Sequence, residues 1–205
     1  MKLEIMGILP IPVYKTEREL NISESESEEI KSIIEEGVHD RLGNLRSDNS
    51  YIFDNKLKKI KEFCDQHIKI YAKEIIDPKK ELNFYITQSW LNITKPGGSH
   101  SRHWHPNSII SGVFYVSTVE DDTICFFNKS KTFEMLQIES NVNAYNTHVW
   151  GVSVNNNTLV LFPSWLEHSV ERNEKASSDR ISISFNVFMK GTIGSENNLN
   201  ELILQ

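Results

Sequence analysis

LVLFPSWLEHSVERNEKASSDRISISFNV, residues 159–187, decides how this chain is read. It opens on a run of branched and aromatic residues closed by Pro163, passes through a loop to His168, and ends on a second run, Asp179 to Val187. Short segments of this composition, bounded by Pro, Ser and Asp, read as β-strands. In the second run the two-residue period of a strand puts Arg180, Ser182 and Ser184 on one face and Ile181, Ile183 and Phe185 on the other. The apolar face predicts a core contact. The opposite face carries a guanidinium and two hydroxyls. It is either an outer surface with an exposed arginine, or a cavity wall where the buried charge needs an anion. A carboxylate suits that anion, because guanidinium binds it through a planar two-point fork.

Working outward, FYITQSWLNIT, SGVFYVST, TICFFN, NTLVLFP and RISISFNVFM are all of this type, from about Leu82 onward. No helical pattern separates them, so a parallel sheet is excluded and a sandwich, barrel or jelly roll is predicted. The first part of the chain has a different period. Ile30, Ile33, Ile34 and Val38 follow a serine-rich, acidic start at helical spacing, with Gly37 as a stop. A second helix is predicted over Asn55–Ile76. Its stripe is Leu57, Ile60, Cys64, Ile68, Tyr71 and Ile75, with Asp54 as cap and Asp77-Pro78 as terminator; His67 beside it reads as a packed histidine. The tail, Ser195 to Gln205, predicts a short helix. The expected organisation is a single, mainly β domain over 1–205. An N-terminal strand and helices (1–80) support a β core (82–190), and 191–205 form a tail.

Composition narrows the function classes. The chain has 205 residues, a formal net charge of −6 and 39% hydrophobic residues, enough for one domain with a substantial core. Its apolar runs are too short to span a bilayer, and the opening MKLEIMGILPIPVY does not read as a signal peptide. Two cysteines, Cys64 and Cys125, make no disulfide framework, so a reducing cytoplasm is the default. No basic stripe with interleaved aromatics favours nucleic acid. The acidic run SESESEE reads as a solvated helix start.

Three of the seven histidines fall in PGGSHSRHWHPNS, residues 96–108. His103 and His105 are two apart, so an extended chain points both imidazoles the same way and lets them converge on one ion. His100 is out of phase with His103 and is left out. With the distant His168 the pair makes a three-point facial arrangement that leaves coordination positions open. Glu167, next to His168, points to the other face. Trp104, Trp150, Trp165 and Tyr115 could rim a mouth, although aromatics in strands more often pack.

From Leu9-Pro10-Ile11-Pro12-Val13-Tyr14 to Phe188 the sequence resembles the 2-oxoglutarate/Fe(II) oxygenase superfamily. The likeness is nearest to a family of small, prolyl 4-hydroxylase-like oxygenases of bacteria and phages. Its most specific parts are SWLNITKPGGSHSRHWHPNSIISGVFYV (89–116) and the stretch quoted first. The resemblance implies a double-stranded β-helix (jelly-roll, cupin-like) barrel. It implies that His168 is the distal iron ligand, and that Arg180, twelve residues on, binds the far carboxylate of 2-oxoglutarate with help from Ser182; Asn92 is a further co-substrate contact. The proximal motif departs from the superfamily's His-x-Asp or His-x-Glu. Either His103 and His105 are ligands, giving a three-histidine site, or His105 and Asn107 are. Imidazole is the better ligand for iron(II) than a carboxamide, which favours the first. Losing the carboxylate leaves one more positive charge at the site.

The implied activity is an Fe(II)- and 2-oxoglutarate-dependent dioxygenase of the hydroxylase type. His103, His105, His168 and Arg180 are its catalytic set, and ascorbate is a candidate auxiliary. Its partners are O2 and a small-molecule or protein side-chain substrate; a homodimer fits the relatives. Two other readings stand beside it. One is a cupin-type three-histidine metalloenzyme that does not use 2-oxoglutarate, although Asn157 and Trp165 stand where the second cupin motif has glycines. The other is a catalytically inactive metal-binding module.

Overall fold

Helix α1 (Glu24–Glu36) begins where Ser23 caps it. The Ser23 hydroxyl accepts the Glu26 N–H at 3.3 Å, and the Glu26 carboxylate accepts the Ser23 N–H at 2.8 Å. This capping box satisfies donors the helix start leaves open. The acidic run is therefore a helix start, but it is not wholly solvated. Glu26 is buried against Arg18 at 2.8 Å. Burial raises its pKa, but the hydrogen bonds from Arg18 and Ser23 outweigh that and hold the carboxyl below its usual range. Gly37 ends the helix with φ at 139°, a value L side chains rarely adopt. Val38, predicted on the helical stripe, instead opens strand β2 (Val38–Arg41).

The structure is a computed structural model that describes residues 3–5, 7, 9–41, 44–128 and 141–205, so residues 1, 2, 6 and 8 of the opening segment lie outside it. Helix α2 covers Lys58–Tyr71 and runs into a π-turn at Ala72–Ile76, a shorter α-helix than the sequence predicts. Asp54 does not cap it but sits in a 3-10 turn, Ile52–Asp54. The N-cap is Leu57, held left-handed at φ 58°, with its N–H donated to the Glu29 carboxylate of α1. Complete burial of the Leu57 side chain outweighs the local preference for a polar cap. Ile75 is exposed rather than part of the stripe. His67 is half-buried as expected and shares a 2.7 Å hydrogen bond with the Tyr14 hydroxyl.

The remaining strands are β1 (Tyr14–Glu17), β3 (Asn44–Ser47), β4 (Leu82–Thr94), β5 (His100–His103), β6 (Ile110–Ser117), β7 (Thr123–Phe127), β8 (Val149–Ser153), β9 (Thr158–Pro163), β10 (His168–Val170), β11 (Arg180–Ile193) and β12 (Leu202–Leu204). They form two antiparallel sheets. The larger has the order β1-β9-β6-β11-β4-β3-β2, with β12 also on β11; the smaller is β5-β10-β7-β8. The tail, predicted helical, forms one 3-10 turn (Glu196–Asn198) and then β12, because the end of β11 offers it an open ladder at Gly191–Ile193. Among the described residues no helix is long and apolar enough to cross a membrane.

Alternation on the large sheet feeds two separate cores. Leu91, Ile93, Ile183, Phe185 and Leu161 pack with Ile33, Ile60, Cys64 and Ile68 of the helices. Val113, Tyr115, Val160 and Phe162 pack with Ile124 and Phe126 of the small sheet. Both cysteines are free. The first core is tight at Gly112, whose cross-strand partner is Phe185. A Cβ on Gly112 would lie 2.1 Å from the Phe185 ring. Gly112→Ala is therefore expected to cost about 2 kcal/mol by overpacking and to lower the thermal midpoint by roughly 4–8 °C. A thermal melt followed by circular dichroism checks this, and an unchanged midpoint would contradict the packing described.

Candidate active site

Three histidines meet between the sheets. His103, at the end of β5, pairs in register with His168, the first residue of β10. The ladder stops at His103, but His105 stays close because its N–H donates to the Ser164 carbonyl at 3.0 Å. The ring centroids of His103 and His168 are 4.3 Å apart; His105 lies 5.2 Å from the first and 5.1 Å from the second. One ring nitrogen from each falls within 4.8 Å of the others, so the three could hold a single ion.

The hydrogen bonds decide which nitrogen that is. Nδ1 of His103 lies 2.7 Å from the Ser101 carbonyl, and Nδ1 of His168 lies 3.0 Å from the Leu166 carbonyl. Carbonyls only accept, so both Nδ1 atoms carry the proton. Nδ1 of His105 lies 2.6 Å from the Asn186 Oδ1 and 2.9 Å from the Ser111 hydroxyl. All three Nδ1 atoms are engaged, which leaves three Nε2 lone pairs to face the common point. Such outer contacts fix tautomer and ring angle at metal-binding histidines. Burial favours the neutral rings. It lowers the pKa of His103 and, together with the neighbouring imidazoles, brings His105 to about 4 and His168 to about 2. Three neutral, oriented imidazoles suit a divalent ion of the iron, nickel or zinc type.

His100, left out by strand phase, stands outside this group. It stacks on His103 at 4.3 Å, and burial, then His103, brings its pKa to about 3. Asn107 is exposed at φ 55°, in a turn beyond the cluster. Glu167 points away, as alternation predicts, and pairs with Arg102. Asn157 takes the left-handed conformation, φ 67°, that a glycine would adopt there.

Arg180 faces inward and is buried. The anion required by its burial is supplied by the protein itself: Nε donates to the Asp122 carboxylate at 2.8 Å, and both side chains are almost fully buried. The guanidinium carbon lies 4.9 Å from the centre of the Tyr115 ring. Tyr115, considered as a mouth residue, is fully buried, with its hydroxyl turned toward Arg180. Burial raises the Tyr115 pKa to about 12, so that hydroxyl stays protonated. Asn92 donates to Ser184 at 2.8 Å and accepts from Asn44 at 3.1 Å.

Arg180, Ser182, Ser184, Asn92, His100 and the three clustered histidines line one narrow inner pocket of about 30 Å³. It shares Trp90, Asn92, His100, His103 and His105, but not His168, with a wider outer cavity of about 580 Å³. Sequence reasoning missed Asp122, Asn186, Ser111, Asn44 and Trp90. The only local signal for Asp122 was an acidic run, Glu120 to Asp122, that looks like an ordinary solvated turn. Trp104, Trp150 and Trp165 are all about half exposed or more. None of those three lines the inner pocket or the outer cavity.

Residues 88–186 match the model of a family described as "Putative 2OG-Fe(II) oxygenase". The segment that builds the site is therefore similar to the 2OG-Fe(II) oxygenases. No curated protein matches the chain by sequence. Solved structures share the fold. HygX of Streptomyces hygroscopicus, solved with nickel and 2-oxoglutarate bound, aligns with a TM-score of 0.55 at 13% identity, over 86% of this chain and 82% of its own. A Pseudomonas putida prolyl-4-hydroxylase aligns at 0.55 and 14%, over 86% and 92%. SnoN, a non-heme α-ketoglutarate-dependent epimerase from nogalamycin biosynthesis, aligns at 0.61 and 11%, over 89% and 80%.

Two outcomes follow. Zn(II) or anaerobic Fe(II) should raise the thermal midpoint of the wild type. Ala at His103, His105 or His168 should abolish that rise, whereas Asn107→Ala should keep it; the reverse at Asn107 would move the ligand set by one step. For the metal-free protein the acid limb is set by the buried imidazoles. Their folded pKa values lie below the unfolded value near 6.5. Their stability contribution is therefore fully present above pH 6.5 and lost as pH falls from there toward 4 and below. Melts from pH 8 to 4 should show that loss, and His168→Leu should flatten it.

Proposed function

We propose that this protein is an Fe(II)- and 2-oxoglutarate-dependent dioxygenase of the hydroxylase type, coupling co-substrate decarboxylation to oxidation of a second substrate. The observation that carries the proposal is the approach of three imidazole nitrogens to within 4.8 Å of one another, in the same pocket as a buried guanidinium. In this reading His103, His105 and His168 hold the iron. Arg180 and Ser182 receive the far carboxylate of 2-oxoglutarate, and Asn92 positions Ser184 and Asn44 along the same wall. The two facing sheets are then the two halves of a double-stranded β-helix over 82–190, with 1–80 supporting it from outside. Bound iron supplies oxygen activation, with the co-substrate as electron donor.

The chain's own residues do the rest. Asn186 and the Ser101 and Leu166 carbonyls hold the imidazoles aimed, while burial keeps them neutral. Asp122 orients Arg180 through Nε and leaves its terminal nitrogens for a ligand. Asp122 also settles the charge that the missing acidic ligand would have carried. It cancels the guanidinium, so a divalent iron and a dianionic co-substrate leave the pocket neutral. The apolar contacts of Val113, Tyr115 and Ile124 exclude water from the deep end.

A second reading, a three-histidine metalloenzyme without 2-oxoglutarate, draws on two features. Arg180 already has its carboxylate, and the inner pocket admits only a water-sized guest until its side chains part. Titrating 2-oxoglutarate into the metal-loaded protein and measuring succinate release separates the two. Arg180→Gln is expected to weaken 2-oxoglutarate binding by about 100-fold, the scale of truncating a buried charge contact. The pair Asp122→Asn/Arg180→Gln should also fail to bind it, yet stay folded because no buried charge is left alone. If the wild type with metal binds no 2-oxoglutarate, the second reading takes over.

A further inference from the structure

Resting on the oxygenase reading, we infer that the primary substrate presents an anionic group, a carboxylate or phosphate, to Arg46 at the outer cavity. That cavity, about 580 Å³, is of ligand-binding size and has His103 and His105 at its floor. Its wall includes Arg46, Arg41, Gln88 and Trp90, and among the described residues no aspartate or glutamate lines it. This is a cationic mouth on a chain whose net charge is −6.

Arg46 is the decisive residue. On β3 it sits across from Asn92 of β4, which in turn pairs with Ser182 of β11. It therefore belongs to the row that carries the inner pocket's polar wall, on the far side of β4 from Arg180. Arg46 is half-buried, its Nε is shielded from water, and among the described residues that atom has no hydrogen-bond partner. Among the described residues no carboxylate lies within 4.0 Å of it, whereas Arg18, Arg102 and Arg180 each have one. A guanidinium that has given up part of its hydration without a counter-charge is costly unless a ligand repays it. The ligand that does so is an anion, held by the guanidinium fork. Arg41, on the neighbouring strand of the same hairpin, adds a second positive charge that steers such a group inward.

Calorimetric titration of the Zn(II)-loaded protein with N-acetylglycinate, methyl phosphate and the neutral isostere N-acetylglycinamide tests this. It is run with 2-oxoglutarate present to fill the inner pocket. At least one anion should bind about tenfold more tightly than the amide, the scale of one hydrogen bond to a charged group. Which anion does so tells carboxylate from phosphate. The preference should vanish in Arg46→Gln, return in Arg46→Lys, and persist in Asp122→Asn/Arg180→Gln, where the deep arginine is gone. No anion binding, equal binding of anion and amide, or a preference that survives Arg46→Gln would each overturn the inference. The wild-type comparison decides it even if Arg46→Gln does not fold. Failure of the oxygenase reading shows separately, as absent 2-oxoglutarate binding to the same wild-type sample; the probes are then titrated without it.

Discussion

Strand β11 must bury both of its faces, and the two faces have opposite chemistry. Ile183, Phe185 and Val187 are sealed against the helices, while Arg180, Ser182 and Ser184 are sealed against the small sheet. A slip of one residue would put the guanidinium into the helical core and the phenyl ring into the polar pocket. The ladder with β4 on one side and β6 on the other holds that register along the whole inner stretch. The site is a consequence of this constraint: the polar face has to be lined by something, and the small sheet brings histidines to it.

Within that frame the chemistry is arranged to be nearly neutral. A buried guanidinium alone would be prohibitive, and Asp122 offsets it across the gap between the sheets. The imidazoles lose their protons through burial and have their remaining N–H groups tied to oxygen acceptors. The result is a pocket with three free lone pairs and no uncompensated charge, which suits a divalent ion and its dianionic partner. The outer cavity is different. There Arg46 has no carboxylate partner among the described residues, and the imbalance points toward a ligand.

Much of this was legible in one dimension. The two faces of β11 follow from strand period and survive into the structure, whereas the spacing of His168 and Arg180 came from the resemblance, and His105 stays beside His103 through its bond to the Ser164 carbonyl rather than through the ladder. The helix boundaries were less legible. Leu57 takes a strained left-handed cap because its side chain is needed in the core, and local propensity favoured Asp54 instead. Val38 leaves the helical stripe because Gly37 turns the chain into a hairpin. The tail becomes a strand because β11 runs past β6 and offers a free edge there.

By itself, then, the sequence determined the β class and the two faces of the long strand, which follow from side-chain period, a local property; that three histidines and an arginine share a site was what the resemblance implied. Tertiary structure alone decided the partners. Asn186 orients His105 from 81 residues away, Asp122 meets Arg180 from 58 residues away, and Arg46 joins the same polar row from a hairpin the sequence pattern did not announce. Hydrogen bonds and charge pairs act over a few ångströms of space, and only the folded sheets convert such separations in sequence into contacts.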